Sequence, residues 1–189
     1  MLNAFLDLPW TWLGIRATGL VAWSLLTCVV VWGLLLRTRL LGDKASPKAL
    51  FMMHRWLGAL ALSFLVLHFG LLLIDPVMTF TVTQVFVPFT SPWEPIAVGL
   101  GTLAMWALLP VTVVGRLRSK LGKAGATLFK RSHLLAYIAW PLATMHYVLA
   151  GTDALAEWSL ALLISATVVI VLLLLARGFV PVSRPAVAR

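Results

Sequence analysis

The sequence is short of charge and almost without cysteine. Of 189 residues only 11% are Asp, Glu, Lys or Arg, against about 25% in an ordinary soluble domain, so there is too little polar surface to enclose a core in water. The single cysteine, Cys28, lies inside an apolar run, which excludes an intrachain disulfide framework and any Cys-rich zinc or iron–sulfur site. No G-x-G-x-x-G stretch occurs, so the dinucleotide-binding fingerprint is missing. There is also no repeat of 20 to 50 residues and no Gly/Ser-rich linker, and a single domain over 1–189 is expected. What the chain has in abundance is apolar side chains: 61% of residues, with a mean hydropathy of +1.00. That is the composition of a membrane protein. Fifteen basic residues against six acidic ones give a net charge of +9. In a soluble protein this would suggest a nucleic-acid surface, but here there is no polar domain to carry one, and the expected partner is lipid.

Five uncharged stretches, 17–36, 56–74, 95–115, 132–152 and 158–176, are each close to the roughly 20 residues that a helix needs to cross the hydrocarbon core. The reading is therefore an all-α integral membrane bundle of five transmembrane helices, at about 14–36, 50–74, 95–115, 129–152 and 158–177. The connecting strings give the orientation. Arg37, Arg39, Lys44, Lys48 and Arg55 fall in the first, Arg116, Arg118, Lys120, Lys123, Lys130 and Arg131 in the third, and Arg177, Arg184 and Arg189 in the tail. The alternate strings, 75–95 and 151–157, hold no Lys or Arg, only Asp75, Glu94, Asp153 and Glu157. Basic loops stay in the cytoplasm, so the amino terminus is expected outside, the carboxyl terminus inside, and the location a cell membrane.

The first basic residue is Arg16, so the start lacks the charged region of a signal peptide. It reads instead as a short interfacial segment, with Trp10 and Trp12 suited to the headgroup layer. The 75–95 stretch is apolar but broken by Pro76, Pro88, Pro92 and Pro95, and reads either as a lid on the outer face or as a plain connection.

All four histidines lie in expected membrane helices or at their cytoplasmic ends: His54 and His68 on the second, His133 and His146 on the fourth. Ionisable residues in a membrane are functional candidates because each costs desolvation. Steps of fourteen and thirteen residues separate the two members of each pair by roughly 20 Å along the helix, so the levels match, His54 with His133 and His68 with His146. Two facing imidazoles are the axial ligands of a six-coordinate b-type haem, and the absence of C-x-x-C-H excludes covalent c-type attachment. Two b haems are expected. The plain alternative, packing histidines or a proton path, accounts for one such residue more easily than for four at two matched depths. At about 100° per residue a step of fourteen returns to the same helix face, whereas a step of thirteen misses by about 140°. Pro141 can rewind the helix, so irregular winding is expected near 137–142.

Haem propionates need cationic partners. Arg16 is the candidate at the outer level, since topology alone does not call for a basic residue there. Arg55, Lys130 and Arg131 adjoin His54 and His133 at the inner level, although cytoplasmic helix ends are basic in any case. Trp140 lies midway between His133 and His146, and Phe64 between His54 and His68; each is a candidate for the path between haems or an ordinary packing residue. Gly58, Ala61, Gly70, Ala136 and Ala143 would leave room for a flat macrocycle or for close helix packing.

The stretches MHRWLGALALSFLVLH, KRSHLLAYIAWPLATMHYVLAGTD and RATGLVAW resemble the ferric-reductase-like transmembrane domain family, the haem core of NADPH oxidases and ferric reductases. They are similar also to its smaller bacterial members, among them the haem-binding membrane subunit of a periplasmic methionine sulfoxide reductase system. The resemblance covers roughly residues 12–177. It implies that electrons enter from a cytoplasmic flavin, pass the inner haem on His54 and His133 and the outer haem on His68 and His146, and leave to an acceptor outside. The chain departs from the larger members in having no FAD or NADPH domain after Arg177 and no counterpart of their sixth helix. The expected donor is thus a cytoplasmic flavoprotein reductase or a quinol, and the acceptor an extracytoplasmic protein or small oxidant. Two rivals stand beside this electron relay. One is a self-sufficient terminal reductase of ferric iron or oxygen, and the other a non-redox proton or ion transporter using the histidines.

Overall fold

The computed structural model describes residues 10–38, 40 and 46–179, and all regular structure among them is helical. In chain order these residues form α1 (Trp10–Thr38), α2 (Pro47–Ile74), the short α3 (Val82–Phe86), α4 (Pro95–Leu117), α5 (Gly122–Ser132), a 3-10 turn (His133–Leu135), α6 (Ala136–Ala150) and α7 (Glu157–Phe179). Of the expected interfacial start, residues 1–9 lie outside the described residues, as do Arg39, Lys44 and the tail with Arg184 and Arg189, while Trp10 and Trp12 belong to the first turn of α1. Four helices, α1, α2, α4 and α7, are long and apolar enough to cross a membrane, which makes this a multi-pass membrane protein. The stretch expected as a further span, 129–152, is composite. α6 itself has 15 residues, and it continues through the 3-10 turn into α5 as one helical track from 122 to 150.

The chain's prolines set several of the ends. Pro47 and Pro95 occupy the first turn of α2 and α4, where the missing N–H has no intrahelical acceptor to lose. Pro76 forces the preceding Asp75 out of the helical region, and α2 stops there with Asp75 extended at φ −68°, ψ 125°. α3 is held by a capping box in which the Thr81 hydroxyl accepts from Gln84 N and the Gln84 side chain accepts from Thr81 N.

α1 packs most extensively on α2, and α4 on α6, while α1 also touches α6 and α7. A small core of Val30, Leu34 and Ile170 joins α1 to α7, with Tyr137 and Trp140 of α6 against it. α2 buries only Ala61, and its free side shows Trp56, Leu60, Val66 and Leu67. In water such a face would be a liability, but in lipid it is ordinary surface.

The seam between α1 and α6 is cross-braced by two Trp-x-x-x-Thr units running in opposite directions. Trp23 Nε1 donates to Thr144 Oγ1 at 3.0 Å, and Trp140 Nε1 donates to Thr27 Oγ1 at 2.9 Å. Each threonine hydroxyl donates in turn to the carbonyl of the tryptophan four residues before it on its own helix. Interhelical hydrogen bonds of this kind are worth about 0.6–2 kcal/mol in membranes. Thr27→Val is therefore expected to destabilise the bundle by about 1 kcal/mol, and thermal unfolding in detergent measures it.

The 75–95 stretch folds onto one end of the bundle. Phe69 of α2 meets Phe86 of α3 with ring centroids 5.5 Å apart. From the other side, Thr102 and Trp106 of α4 donate to the carbonyls of Val85 and Phe86 at 3.1 and 2.9 Å. The stretch's own Phe80 and Val85 are buried. Phe89 stands at φ 66° so that its ring lies on Gly99, where a Cβ would come within 2.3 Å of it. The segment is thus a roof strapped to α2 and α4 rather than a loose connection.

The roof begins at a turn with its own pH dependence. Asp75 Oδ1 accepts from Val77 N at 3.0 Å and Met78 N at 2.6 Å, and the Thr11 hydroxyl beside it, with these backbone bonds, holds the carboxyl below the usual carboxylate range. Because the folded-state value is depressed, the stabilisation is complete above the ordinary carboxylate pKa of about 4 and fades as pH falls through the lower folded value. Acidification below about pH 4 is expected to loosen the roof in the native chain. Asp75→Asn should weaken the turn at neutral pH and remove that part of the pH dependence, as read by hydrogen exchange at Val77 and Met78.

Candidate functional site

A cavity of about 1060 Å³ runs between α1, α2, α4 and α6, as large as the biggest small-molecule pockets, about 1,000 Å³. All four histidines line it. His54 of α2 faces His133 with ring centroids 5.9 Å apart and planes at 66°, and His68 faces His146 at 6.3 Å and 75°. The four side chains thus form two pairs at two levels. One pair is near the end that carries Arg55, Arg116 and Arg118, here called the basic end. The other is near the end roofed by 75–95.

Each level is built on glycine. A Cβ at Gly19 or Gly33 of α1 would meet the His68 ring at 2.9 Å or the His54 ring at 3.4 Å, and one at Gly101 of α4 would meet the His146 ring at 2.8 Å. The missing side chains let each ring approach the backbone. His68 Nδ1 lies 2.9 Å from Ile15 O, His54 Nδ1 3.2 Å from Val29 O, and His146 Nδ1 2.8 Å from Ala97 O. A carbonyl only accepts, so Nδ1 carries the proton in all three rings and Nε2 keeps its lone pair. That is the tautomer and the supporting contact of a metal-binding imidazole. Among the described residues, no three His, Cys, Asp or Glu side chains come together as a metal-holding group.

The thirteen-residue step from His133 to His146 is accommodated, but not where expected. Residues 137–142 are regular α-helix with Pro141 inside. The tighter winding is at His133–Leu135, a 3-10 turn with ψ of −21° at His133 and −23° at Leu135. Three residues at about 120° instead of 100° add about 60°, reducing the mismatch from about 140° to roughly 80°, and both imidazoles reach the cavity.

The other candidates divide. Arg16 lines the cavity near the roof, pairs through one terminal nitrogen with Asp153, and leaves its Nε buried without a hydrogen-bond partner. Arg55 lines the opposite mouth, its guanidinium 6.0 Å from the Phe51 ring. Lys130 and Arg131 do not join it. They are exposed, and the mouth is lined instead by Arg116 and Arg118, which reasoning from nearness in sequence to His133 overlooked. Trp140 is not in the cavity either, being turned to Thr27 and the core with α7. Phe64 and Gly70 are likewise not part of the lining, whereas Gly58, Ala61, Ala136 and Ala143 are. The aromatic residues of α1 that do line the cavity are Trp12 and Trp23, the latter stacked on Tyr147 at 5.2 Å. Tyr147 in turn shares a 2.6 Å hydrogen bond with Ser159 at the start of α7.

The helices define a multi-pass membrane protein, and two pairs of imidazoles face one another in the cavity at its centre. Residues 18–144 match the family model described as ferric reductase like transmembrane component, and the chain belongs to that family, a class of membrane electron-transfer component. Comparison with the curated proteins and with the solved structures gave no match.

Proposed function

We propose that the chain is a membrane cytochrome b that holds two b haems, one between His54 and His133 and one between His68 and His146, and relays single electrons through the bundle. The observation that supports this most is the pairing of imidazoles at two levels of one cavity. Two side-chain donors per level are too few for a bare metal ion, which takes about four to six ligands, and are the number needed where a macrocycle supplies the rest. Held by two imidazoles, such a haem would supply one-electron transfer and would leave no open position for a substrate. The chain does the rest. Ile15, Val29 and Ala97 fix the tautomers of His68, His54 and His146, and apolar walls keep water out. Arg16 near the roof and Arg55, Arg116 and Arg118 at the basic end offer guanidinium groups for carboxylates. Trp140 braces α1 against α6.

With the 122–150 track counted as a span, the bundle has five crossings, the amino terminus outside and the basic end in the cytoplasm of a cell-membrane protein. Electrons then enter near Arg55, Arg116 and Arg118 from a flavoprotein or quinol, and leave near Arg16 to an extracytoplasmic acceptor. In proteoliposomes with ferricyanide trapped inside and dithionite outside, the protein is expected to reduce the trapped oxidant. Protonophore-like leakage without electron transfer would instead support the transporter reading.

A further inference from the structure

The four histidines are not equivalent. In three cases the carbonyl that accepts from Nδ1 stands four residues before the glycine facing the same ring: Ile15 and Gly19 for His68, Val29 and Gly33 for His54, Ala97 and Gly101 for His146. Gly115 of α4, fourteen residues after Gly101, continues this register, and the carbonyl four residues before it belongs to Val111, which lines the same cavity. Yet Gly115 faces no imidazole. A Cβ there would meet the Phe129 ring at 3.2 Å. His133 Nδ1 is buried with no hydrogen-bond partner, and its ring lies on Phe129 with centroids 4.9 Å apart. The guanidinium of Arg118 lies 5.1 Å from the Phe129 centroid, a cation–π contact that helps hold the ring in place.

We propose that Phe129 is a positioning residue. By occupying the notch at Gly115 it keeps His133 off the Val111 carbonyl and leaves this imidazole the weakest donor of the four. An Nδ1–H bound to a carbonyl makes its imidazole a more basic ligand, and a more basic ligand favours the oxidised metal. His133 without that bond favours the reduced metal, so the basic-end site takes up an electron more readily than it would with the bond made. The fold has made this asymmetry from one aromatic side chain, since the glycine and the carbonyl are both in place.

This rests on the di-haem reading, and the test separates the two. Redox titration of purified wild type, Phe129→Ala and the more conservative Phe129→Leu is expected to show two haems in each, with one potential lowered in the variants and the other unmoved. Two haems with neither potential moved, or both moved alike, overturn the role of Phe129 and leave the di-haem reading standing. If wild type proves to hold no haem, the di-haem reading fails. The histidine 15N spectrum of the same proteins then decides the positioning role alone. A hydrogen-bonded Nδ1–H signal for His133 that is absent in wild type and appears in Phe129→Ala supports it, and no change in that signal overturns it.

Discussion

His68→Ala and His146→Ala, each made singly, are expected to lower the haem content from two per chain to one and to leave the site at the basic end intact. His54→Ala and His133→Ala should do the reverse. The levels are separated by thirteen or fourteen helical residues, roughly 20 Å of rise, and each ring has its own surroundings. His68 rests on Ile15 and Gly19, His146 on Ala97 and Gly101, and none of these touches the other pair. An imidazole removed at one level therefore takes away one of the two donors there and neither at the other. Haem extraction assays and reduced-minus-oxidised spectra of the four variants measure this. Simultaneous loss of both haems from every single variant would mean that the two levels form one cooperative unit.

The second large effect falls on a residue that binds nothing. Gly101→Ala places a methyl group 2.8 Å from Nδ1 and 2.9 Å from Cγ of His146, and the ring, backed on α6, must leave the Ala97 carbonyl to relieve the contact. Loss of such a supporting contact typically weakens metal retention roughly 10- to 100-fold, and haem retention at the roofed end should fall by that order. Gly19→Ala, at 2.9 Å from His68, should act alike. Gly33→Ala, at 3.4 Å from His54, is ordinary contact and should be mild, and Gly70→Ala, with nothing within 4 Å, should be neutral. This ranking, read from haem dissociation rates, is specific to the geometry. Equal losses at all four glycines would point to generic helix packing instead.

Much of the site was legible in the sequence, and what was not has physical reasons. The levels of the histidines follow from the rise per residue, which every α-helix shares, so the pairs His54 with His133 and His68 with His146 needed only counting. Rotation about the helix axis is another matter. α2 and α6 are apolar on every side, with no polar stripe to mark an outward face, so Trp140 could be read either as lying between the two histidine levels or as packing, and it packs, facing Thr27. The winding that brings His133 round lies at His133–Leu135 rather than beside Pro141. A proline marks where a hydrogen bond is missing, while a 3-10 turn in a helix start has no residue signature as strong. Arg131 stands two positions before His133 but is exposed and outside the cavity lining, and Arg116 and Arg118 reach the mouth from the end of α4. A clue to them was present: Gly19 and Gly33, and again Gly101 and Gly115, repeat the spacing of fourteen that separates His54 from His68. A helix that approaches two rings at two levels, as α1 does, needs two small residues at the same separation; on α4 only Gly101 faces a ring of the histidine pairs, and Gly115, which faces Phe129, is followed directly by Arg116.

The roof over 75–95 was readable as a lid or a connection, and its fastening was not. Its fastening rests on Thr102 and Trp106 of α4 donating to Val85 and Phe86 carbonyls, contacts between residues seventeen and twenty positions apart that no local pattern announces.

The central claim is that one cavity holds two bis-imidazole haems, and the haem-to-protein ratio of the purified chain, taken with its oxidised and reduced absorption spectra, tests it most directly. Two low-spin b haems per chain are predicted. A ratio of one, a high-spin spectrum with an open iron position, or no haem at all would contradict it.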